Sequence, residues 1–186
     1  MNNDKVVLES DRLLLRNIKM SDVDDFLYYR SIPEVATYQG WEPYKEEDAV
    51  NYINIYKDNI PGIPGDWCSW AIIHKEDDKL IGDCSIKLTK DEPRIAEIGC
   101  TLSPDYQGRG IAKESISAMI DYAFENLDVH RIVGITDAKN LPSQKLMESM
   151  GMRKEGHFIK NIWFKGEWGD ECQYAILKDE WQNLSK

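Results

Sequence analysis

Two glycines flank an arginine where a turn runs directly into an apolar helical pattern. The segment reads SPDYQGRGIAKE, residues 103–114, and its glycines are Gly108 and Gly110. The first turn of a helix carries backbone N–H groups without internal partners and a partial positive charge. Glycines let a ligand approach that backbone closely, and Arg109 adds a full positive charge. The pattern therefore indicates a phosphate-binding turn, with an ordinary tight turn as the alternative.

Two common phosphate-binding motifs are absent from this segment. It has no G-x-x-x-x-G-K-[ST] sequence, which argues against a P-loop nucleotidase. It also lacks the third glycine of the dinucleotide motif G-x-G-x-x-G, because Lys113 stands at that position. The glycine spacing alone thus leaves open which phosphate compound would bind.

Sequence periodicity places this turn between a strand and a helix of a mixed α/β chain. Short apolar runs bounded by turn residues predict strands, and apolar residues spaced for one helix face predict helices. The predicted strands are 12–18, 67–74, 79–88, 95–102, 131–138, 158–164 and 172–177. The predicted helices are one that starts near Ser21 and others at 46–59, 112–127 and 141–150. Because no linker or repeat separates these elements, we expect one domain over residues 1–186.

The composition argues against several classes of function. The 186 residues carry a net charge of −10, and the pI is about 4.8, which argues against nucleic-acid binding. This acidity either favours a cationic partner through long-range attraction or has no functional meaning. No apolar run is long enough to cross a membrane, and the first residues lack the features of a signal peptide. We therefore expect a cytoplasmic protein with no membrane partner.

The cysteines and histidines give no sign of a metal site. The four cysteines and three histidines are scattered along the chain, without a C-x-x-C pair. Zinc sites usually draw their ligands from closely spaced cysteine and histidine pairs. We therefore expect reduced cysteines in the core and no bound metal.

A longer match surrounds the glycine turn. Residues 107–112, QGRGIA, fit the pattern [QR]-x-x-G-x-[GA], which resembles the pyrophosphate loop of the GNAT superfamily of N-acetyltransferases. The resemblance extends through residues 9–26, 97–114 and 130–156, so it spans nearly the whole chain. Within the superfamily, the chain is similar to the ribosomal-protein N-terminal acetyltransferase branch.

The resemblance implies a fold and a binding site for acetyl-CoA. It implies a single GNAT domain, whose mostly antiparallel mixed sheet contains a splayed pair of parallel strands, here 95–102 and 131–138, with helices on both sides. Pantetheine would insert between these strands and pair with backbone amides near Leu102 and Ser103. The loop whose amides would bind the pyrophosphate consists of Gln107, Gly108, Arg109, Gly110, Ile111 and Ala112. Arg109 and Lys113 would add positive charge to that loop, unless they are ordinary surface cations.

The residues Asn140 and Ser143 have two interpretations. They form an N-x-x-S pair at the start of a predicted helix, where both residue types are common as caps. The resemblance instead implies that Asn140 binds the pantetheine arm and that Ser143 lies near the sulfur. Many members of the superfamily protonate the thiolate with a tyrosine seven residues after this asparagine. Met147 occupies that position here and cannot donate a proton, so Ser143 becomes the predicted donor.

Direct acetyl transfer also requires a neutral amine and therefore a route for its proton. Glu97 is the predicted base, acting through water, and a structural ion pair on its strand is the alternative. The ribosomal-protein branch has a glutamate in the penultimate strand, where this chain has Trp163, which argues against a ribosomal-protein substrate. A further alternative is that the amine arrives neutral or loses its proton to solvent.

Aromatic residues suggest where the acceptor amine would bind. Trp41 and Tyr44 fall between the first two predicted helices, in a segment that tends to border the acceptor site in this superfamily. With Trp163 they form a predicted pocket for an apolar or cationic acceptor, although core packing would explain these rings equally well.

The resemblance therefore implies an enzyme that moves an acetyl group from acetyl-CoA to a primary amine, either a peptide N-terminus or a small molecule. The missing tyrosine and the uncertain base leave a non-catalytic acyl-CoA sensor as the alternative. A homodimer is compatible with the terminal hairpin, whose edge strand a second copy could cover.

Overall fold

Eight strands form one mixed sheet in the computed structural model, which describes residues 6–184. The strands are β1 (Leu8–Glu9), β2 (Leu13–Arg16), β3 (Trp67–His74), β4 (Lys79–Leu88), β5 (Ile95–Leu102), β6 (Arg131–Asp137), β7 (Arg153–Phe164) and β8 (Glu167–Leu177). The helices are α1 (Val23–Arg30), α2 (Pro33–Ala36), α3 (Glu46–Tyr56), α4 (Ile111–Asn126), α5 (Leu141–Ser149) and α6 (Lys178–Leu184). The sheet order is β1-β2-β3-β4-β5-β6-β8-β7, so β8 lies between β6 and β7.

The pairing of β5 with β6 differs from every other pairing in the sheet of residues 6–184. It is parallel, whereas the other neighbours are antiparallel. It runs from Ile95 opposite Arg131 to Ile98 opposite Gly134 and then stops, although both strands continue. Residues 99–102 and 135–137 therefore lie side by side without pairing to each other, and we call the space between these two segments the gap. The predicted splayed pair of parallel strands is confirmed.

Two apolar layers cover the faces of the sheet. Helices α4 and α5 pack on one face, where the buried residues include Ile98, Leu102, Met119 and Met147. Helices α1 and α3 pack on the other face, together with the residues of the smaller core cluster. Because side chains alternate along a strand, successive residues of β5 point to the α4 face and to the α1 face in turn.

The fold class predicted from the sequence is confirmed, and the main differences lie near the ends of the chain. Strand β7 begins at Arg153 rather than at residue 158. The added residues 153–157 are mostly exposed and mostly charged, because β7 is an edge strand that buries few side chains in the core. Alternation of apolar and polar residues therefore does not mark it. Charged side chains on an edge strand also oppose edge-to-edge pairing with a second copy.

Candidate active site

The glycine turn meets the start of α4 in a conformation that favours glycine. Gly108 and Gly110 have φ angles of +73° and +76°, in the left-handed region that costs other residues about 1–2 kcal/mol. Gly110 is the N-cap of α4, so no side chain caps the first turn of that helix. A Cβ atom added at Gly108 would meet nothing within 4 Å, which shows that this side of the turn is open.

The backbone amides of this turn are mostly free. Among the six loop residues named above, Gln107 differs, because its amide donates to the carbonyl of Pro104 at 3.2 Å. The side chain of Gln107 makes a second hydrogen bond, from Nε2 to the carbonyl of Leu102 at 3.0 Å. The amides of residues 108–112 have no acceptor within residues 6–184. Five consecutive open amides at a helix start suit an anion.

Arg12 supports this turn from the far end of the sequence. Its Nη1 donates to the carbonyl of Arg109 at 3.1 Å. The same guanidinium pairs with Glu114 at 2.6 Å, and Ser10 Oγ also donates to that carboxylate. Burial alone would raise the pKa of Glu114, but the hydrogen bonds from Ser10 and Arg12 lower it. Nothing in the sequence around Arg12 indicates this role.

The two predicted loop cations lie in different places. The Arg109 guanidinium lies over the ring of Tyr106, 5.3 Å from its centroid, and no ion pair holds it among the described residues. Tyr106 in turn donates to Asp77 at 2.6 Å, and this hydrogen bond raises the pKa of Tyr106 to about 12. Lys113 donates to the carbonyl of Ser149 at 2.7 Å, at the C-terminal end of α5. Arg109 is thus available at the turn, whereas Lys113 ties α4 to α5.

The end of β5 offers one amide to the gap rather than the two predicted. The amide of Ser103 donates to the carbonyl of Ile81 at 2.8 Å and is therefore engaged with β4. Because amides alternate in direction along a strand, the Leu102 amide points away from β4 and into the gap. The hydroxyl Oγ of Ser103 is buried without a hydrogen-bond partner. A buried polar atom without a partner is costly, and a polar ligand in the gap would satisfy it.

Met147 lies where the two strands begin to separate. Its side chain is buried, and its sulfur packs so closely on Gly134 that a Cβ atom there would collide with it. Gly134 is the last residue of β6 that pairs with β5. A thioether has no proton to donate, so this position of α5 brings no acid to the gap. One helical turn earlier, on the same side of α5, is the hydroxyl of Ser143.

Asn140 caps α5, as one of the two interpretations predicts. Its Oδ1 accepts a hydrogen bond from the backbone amide of Ser143 at 3.2 Å. The cap does not use the Nδ2 group of Asn140, which makes no hydrogen bond within the described part of the chain. The Ser143 hydroxyl likewise has no protein partner there and is partly exposed. Both groups are therefore available to a ligand in addition to the cap.

Glu97 forms the ion pair that was the alternative to a catalytic role. Its carboxylate lies 2.7 Å from the ammonium of Lys87 on β4, and that ammonium lies over the ring of Trp67. Glu97 is one residue before the last paired position of β5, on the α1 face of the sheet. Ser143 belongs to α5 on the opposite face, so the two predicted catalytic residues lie on opposite faces of the sheet next to the gap.

Trp41 and Tyr44 lie together on the α1 face. Their ring centroids are 5.1 Å apart with an edge-to-face angle of 64°. Both rings lie against the guanidinium of Arg30, at 4.4 Å for Trp41 and 5.4 Å for Tyr44. The space between these rings therefore already contains a cation of the protein itself.

Trp163 lies apart from these two rings. It is 61% exposed and forms an edge-to-face pair with Trp168 across the β7–β8 hairpin, with centroids 5.5 Å apart. No ring contact joins it to Trp41 or Tyr44 in residues 6–184. Of the three predicted pocket residues, Trp41 and Tyr44 therefore have rings in contact with each other, whereas Trp163 reaches this region only through Lys165, two residues later, which donates to the carbonyl of Trp41. Trp163 lies on the exposed β7–β8 hairpin, opposite Trp168 and after the register shift between Phe158 and Ile162.

The described residues contain neither a membrane-spanning helix nor a metal-ligand cluster. None of the helices within residues 6–184 is both long and apolar enough to cross a membrane. In the same range, no group of three or more histidine, cysteine, aspartate or glutamate side chains is arranged to hold a metal ion. All four cysteines are free thiols.

Comparison with known proteins supports the resemblance seen in the sequence. The family described as "Acetyltransferase (GNAT) domain" matches residues 12–153. The uncharacterized N-acetyltransferase YnaD of Bacillus subtilis (strain 168) is 35% identical over 175 residues, which cover 94% of this chain and 98% of that protein. The crystal structure of a GNAT-family acetyltransferase from Bacillus anthracis matches with a TM-score of 0.84 and 30% identity, covering 94% of this chain and 99% of that one.

Two other relatives carry names that state a substrate. A spermidine N(1)-acetyltransferase of Vibrio cholerae is 25% identical, covering 95% of this chain and 99% of that protein. A putative ribosomal N-acetyltransferase of Bacillus subtilis is 30% identical over 57% of this chain and 58% of that protein, so relatives of the predicted branch are present. From the match to residues 12–153 and the relatives that share nearly the full length, the chain belongs to the GNAT family of acetyltransferases, enzymes that use acetyl-CoA as their co-substrate.

Proposed function

We propose that this enzyme transfers the acetyl group of acetyl-CoA to a primary amine, carried by a small molecule or a peptide N-terminus, across the gap between β5 and β6. The observation that carries the proposal is the early end of the β5–β6 pairing directly before the glycine turn. An unpaired pair of strand ends can accept an extended arm, and open amides at a helix start can accept phosphates. The relative named for spermidine acetylation supports a small amine as acceptor.

The residues around the gap fit the two ends of acetyl-CoA. Open amides of residues 108–112 and the free guanidinium of Arg109 would bind the pyrophosphate. The Leu102 amide, the buried Ser103 hydroxyl and the Nδ2 group of Asn140 would hold the arm that leads to the thioester. The co-substrate itself supplies an activated acetyl group, so the chain needs no nucleophile of its own.

The two faces of the sheet would divide the proton transfers between them. On the α1 face, Glu97 would take a proton from the amine through water. On the α5 face, Ser143 would donate a hydrogen bond to the sulfur as the C–S bond breaks, and the thiolate would then take its proton from solvent. Because the two side chains lie on opposite faces, the amine and the leaving thiol would not compete for the same space.

Replacing Asn140 with aspartate tests whether its amide contacts acetyl-CoA. Aspartate is as good an N-cap as asparagine, so the melting temperature should hold, while the lost Nδ2 donor should raise the KM for acetyl-CoA about tenfold. Asn140→Ala is the control, because it removes the cap as well and should cost about 1 kcal/mol of stability. An aspartate variant with the wild-type KM would mean that Asn140 acts only as a cap.

Glu97→Gln is expected to lower kcat about 100-fold if Glu97 is the base. Lys87→Met is a matched control, because it breaks the same ion pair and leaves the carboxylate in place. Steady-state rates for both variants, each at saturating acetyl-CoA, separate the two roles. Equal and small losses in the two variants would show that Glu97 serves only the ion pair.

Ser143→Ala is expected to lower kcat about tenfold, the effect of one hydrogen bond to a charged sulfur. The cap of α5 uses the Ser143 amide rather than its hydroxyl, so the helix should remain intact. The rate should recover in Ser143→Thr, which restores a hydroxyl. If Ser143→Ala turned over at the wild-type rate, the role of its hydroxyl would be refuted.

The choice of acceptor follows from charge as well as from shape. A net charge of −10 attracts cationic amines at long range, which favours a polyamine or another basic small molecule over an acidic peptide. The cytoplasmic location and the homodimer stay predictions.

Thiol release tests this function. The enzyme is incubated with acetyl-CoA and single primary amines, and free CoA is measured with a thiol reagent. Release of free CoA only when an amine is present supports acetyl transfer to that amine. Heat of acetyl-CoA binding without release on any amine would instead favour an acyl-CoA sensor, and absence of binding heat would refute the proposed site itself.

A further inference from the structure

Arg30 is a buried cation inside a box of aromatic rings. Its side chain is 4% exposed, and its guanidinium carbon lies within 6 Å of five ring centroids. The rings belong to Phe26, Tyr29, Trp41, Tyr44 and Tyr52. A guanidinium over the face of an aromatic ring is attracted by the ring quadrupole, most strongly when water is excluded. The box therefore holds Arg30 as it would hold a bound ligand.

Asp83 balances the charge of Arg30. The Nη2 group of Arg30 donates to both carboxylate oxygens of Asp83 at 2.7 Å, and the hydroxyl of Tyr29 donates to Oδ1 at 2.6 Å. Burial, followed by the Asp83 carboxylate, raises the pKa of Tyr29 well above its usual value, so this hydroxyl keeps its proton. The Nε group of Arg30 is buried without a hydrogen-bond partner.

Two of the five rings, those of Trp41 and Tyr44, belong to a loop that contacts the connection between β6 and α5. Residues 37–45, between α2 and α3, contain no helix or strand, and Arg30 holds this loop through two of its rings and through its own carbonyl, which accepts from the Tyr44 amide at 3.0 Å. From the β7–β8 turn, Lys165 donates to the carbonyl of Trp41 at 3.0 Å. The hydroxyl of Tyr38 donates to the carbonyl of Lys139, between β6 and α5.

The ion pair connects this loop to the strand next to the gap. Asp83 is on β4, directly opposite Thr101 on β5. Thr101 belongs to the part of β5 that no longer pairs with β6 and therefore borders the gap. The position of the rings is thus set relative to the strand end where the thioester would lie. Holding a reacting group within a fraction of an ångström is what such supporting contacts achieve in active sites.

We propose that Arg30 is a positioning residue for the acceptor amine: by filling the aromatic box it holds Trp41 and Tyr44 as a fixed wall of the acceptor site. This inference rests on the proposed function. It also predicts that the acceptor packs against the outer surface of this wall, because the interior of the box is occupied.

The test is the effect of Arg30→Lys and Arg30→Ala on the two KM values. Lysine keeps the charge but lacks the planar fork that binds Asp83 and stacks on the rings. We expect the KM for the amine to rise at least tenfold in both variants, while the KM for acetyl-CoA stays within twofold of wild type. Addition of methylguanidinium to Arg30→Ala should refill the box and restore at least half of the lost affinity for the amine.

A matched control separates this role from general destabilisation. Arg16→Lys weakens another ion pair, in which Arg16 binds both oxygens of Asp22 beside α1, away from residues 37–45. Its two KM values should remain at the wild-type level. If the Arg30 variants fail to fold, Trp41→Leu replaces them as the test. It removes one wall ring from a surface loop and should also raise the KM for the amine at least tenfold.

The outcomes distinguish this inference from the function on which it rests. An active wild type with an unchanged amine KM in the Arg30 variants, or in Trp41→Leu, overturns the inference alone. Equal increases in both KM values, without rescue by methylguanidinium, would show a purely structural role and overturn it as well. If the wild type acetylates no amine, the proposed function fails and the inference fails with it.

Discussion

Gly110→Asp is expected to weaken acetyl-CoA binding about 100-fold without unfolding the protein. Gly110 has a left-handed backbone, a conformation that aspartate and asparagine tolerate better than most residues. A Cβ atom there would lie 3.7 Å from Nη2 of Arg12, which is an ordinary contact. An acidic residue at a helix N-cap is normally favourable, so the fold should survive the change.

The loss follows from charge at the start of α4. A carboxylate about 5 Å from a phosphate charge costs about 3 kcal/mol at the effective dielectric constant of a protein surface, which corresponds to about 100-fold in Kd. Gly110→Asn is the matched control, because it adds the same bulk without the charge. Titration calorimetry of acetyl-CoA into both variants measures the difference. Similar affinities in the two variants would show that no phosphate lies at this turn.

Arg30→Met is expected to lower the free energy of unfolding by about 3–5 kcal/mol. The substitution leaves the Asp83 carboxylate buried, with the Tyr29 hydroxyl as its remaining side-chain donor. For a chain of this length, the loss corresponds to a fall of about 10 °C in melting temperature. Urea denaturation followed by circular dichroism measures it.

The double variant Arg30→Met/Asp83→Leu provides the control for this prediction. Removing both charges leaves no buried charge without a partner, and only the neutral Tyr29 hydroxyl loses its acceptor, so the double variant should be more stable than Arg30→Met alone. Additive losses would contradict the interpretation that the cost of Arg30→Met is the desolvation of Asp83. In that case the aromatic contacts of Arg30 would account for the stability instead.

Local sequence pattern predicted the elements that frame the gap. Strands β3, β4 and β5 match their predicted limits, because each is an apolar run that ends at turn residues. Strand β6 ends one residue before its predicted end. The glycine turn was recognised for the same reason, since left-handed glycines and a helix start leave a short local signature.

Contacts between distant parts of the chain were not predictable in the same way. Arg12 reaches the carbonyl of Arg109 across 97 positions, and no periodicity connects the two. Arg30, at the end of a helix, has the sequence character of a surface cation, and its burial depends on rings brought together by three separate segments. The direction of the Ser103 amide likewise depends on the register of β4 against β5, which the sequence does not display.

Mass spectrometry of a mixed panel of primary amines, incubated with the enzyme and acetyl-CoA, tests the central claim most directly. The panel contains polyamines, amino acids, amine antibiotics and short peptides with free N-termini. We predict that at least one amine gains the mass of a single acetyl group, that Ser143→Ala slows its formation, and that Gly110→Asp abolishes it at low acetyl-CoA. Tight binding of acetyl-CoA with no acetylated product from any amine would contradict the claim.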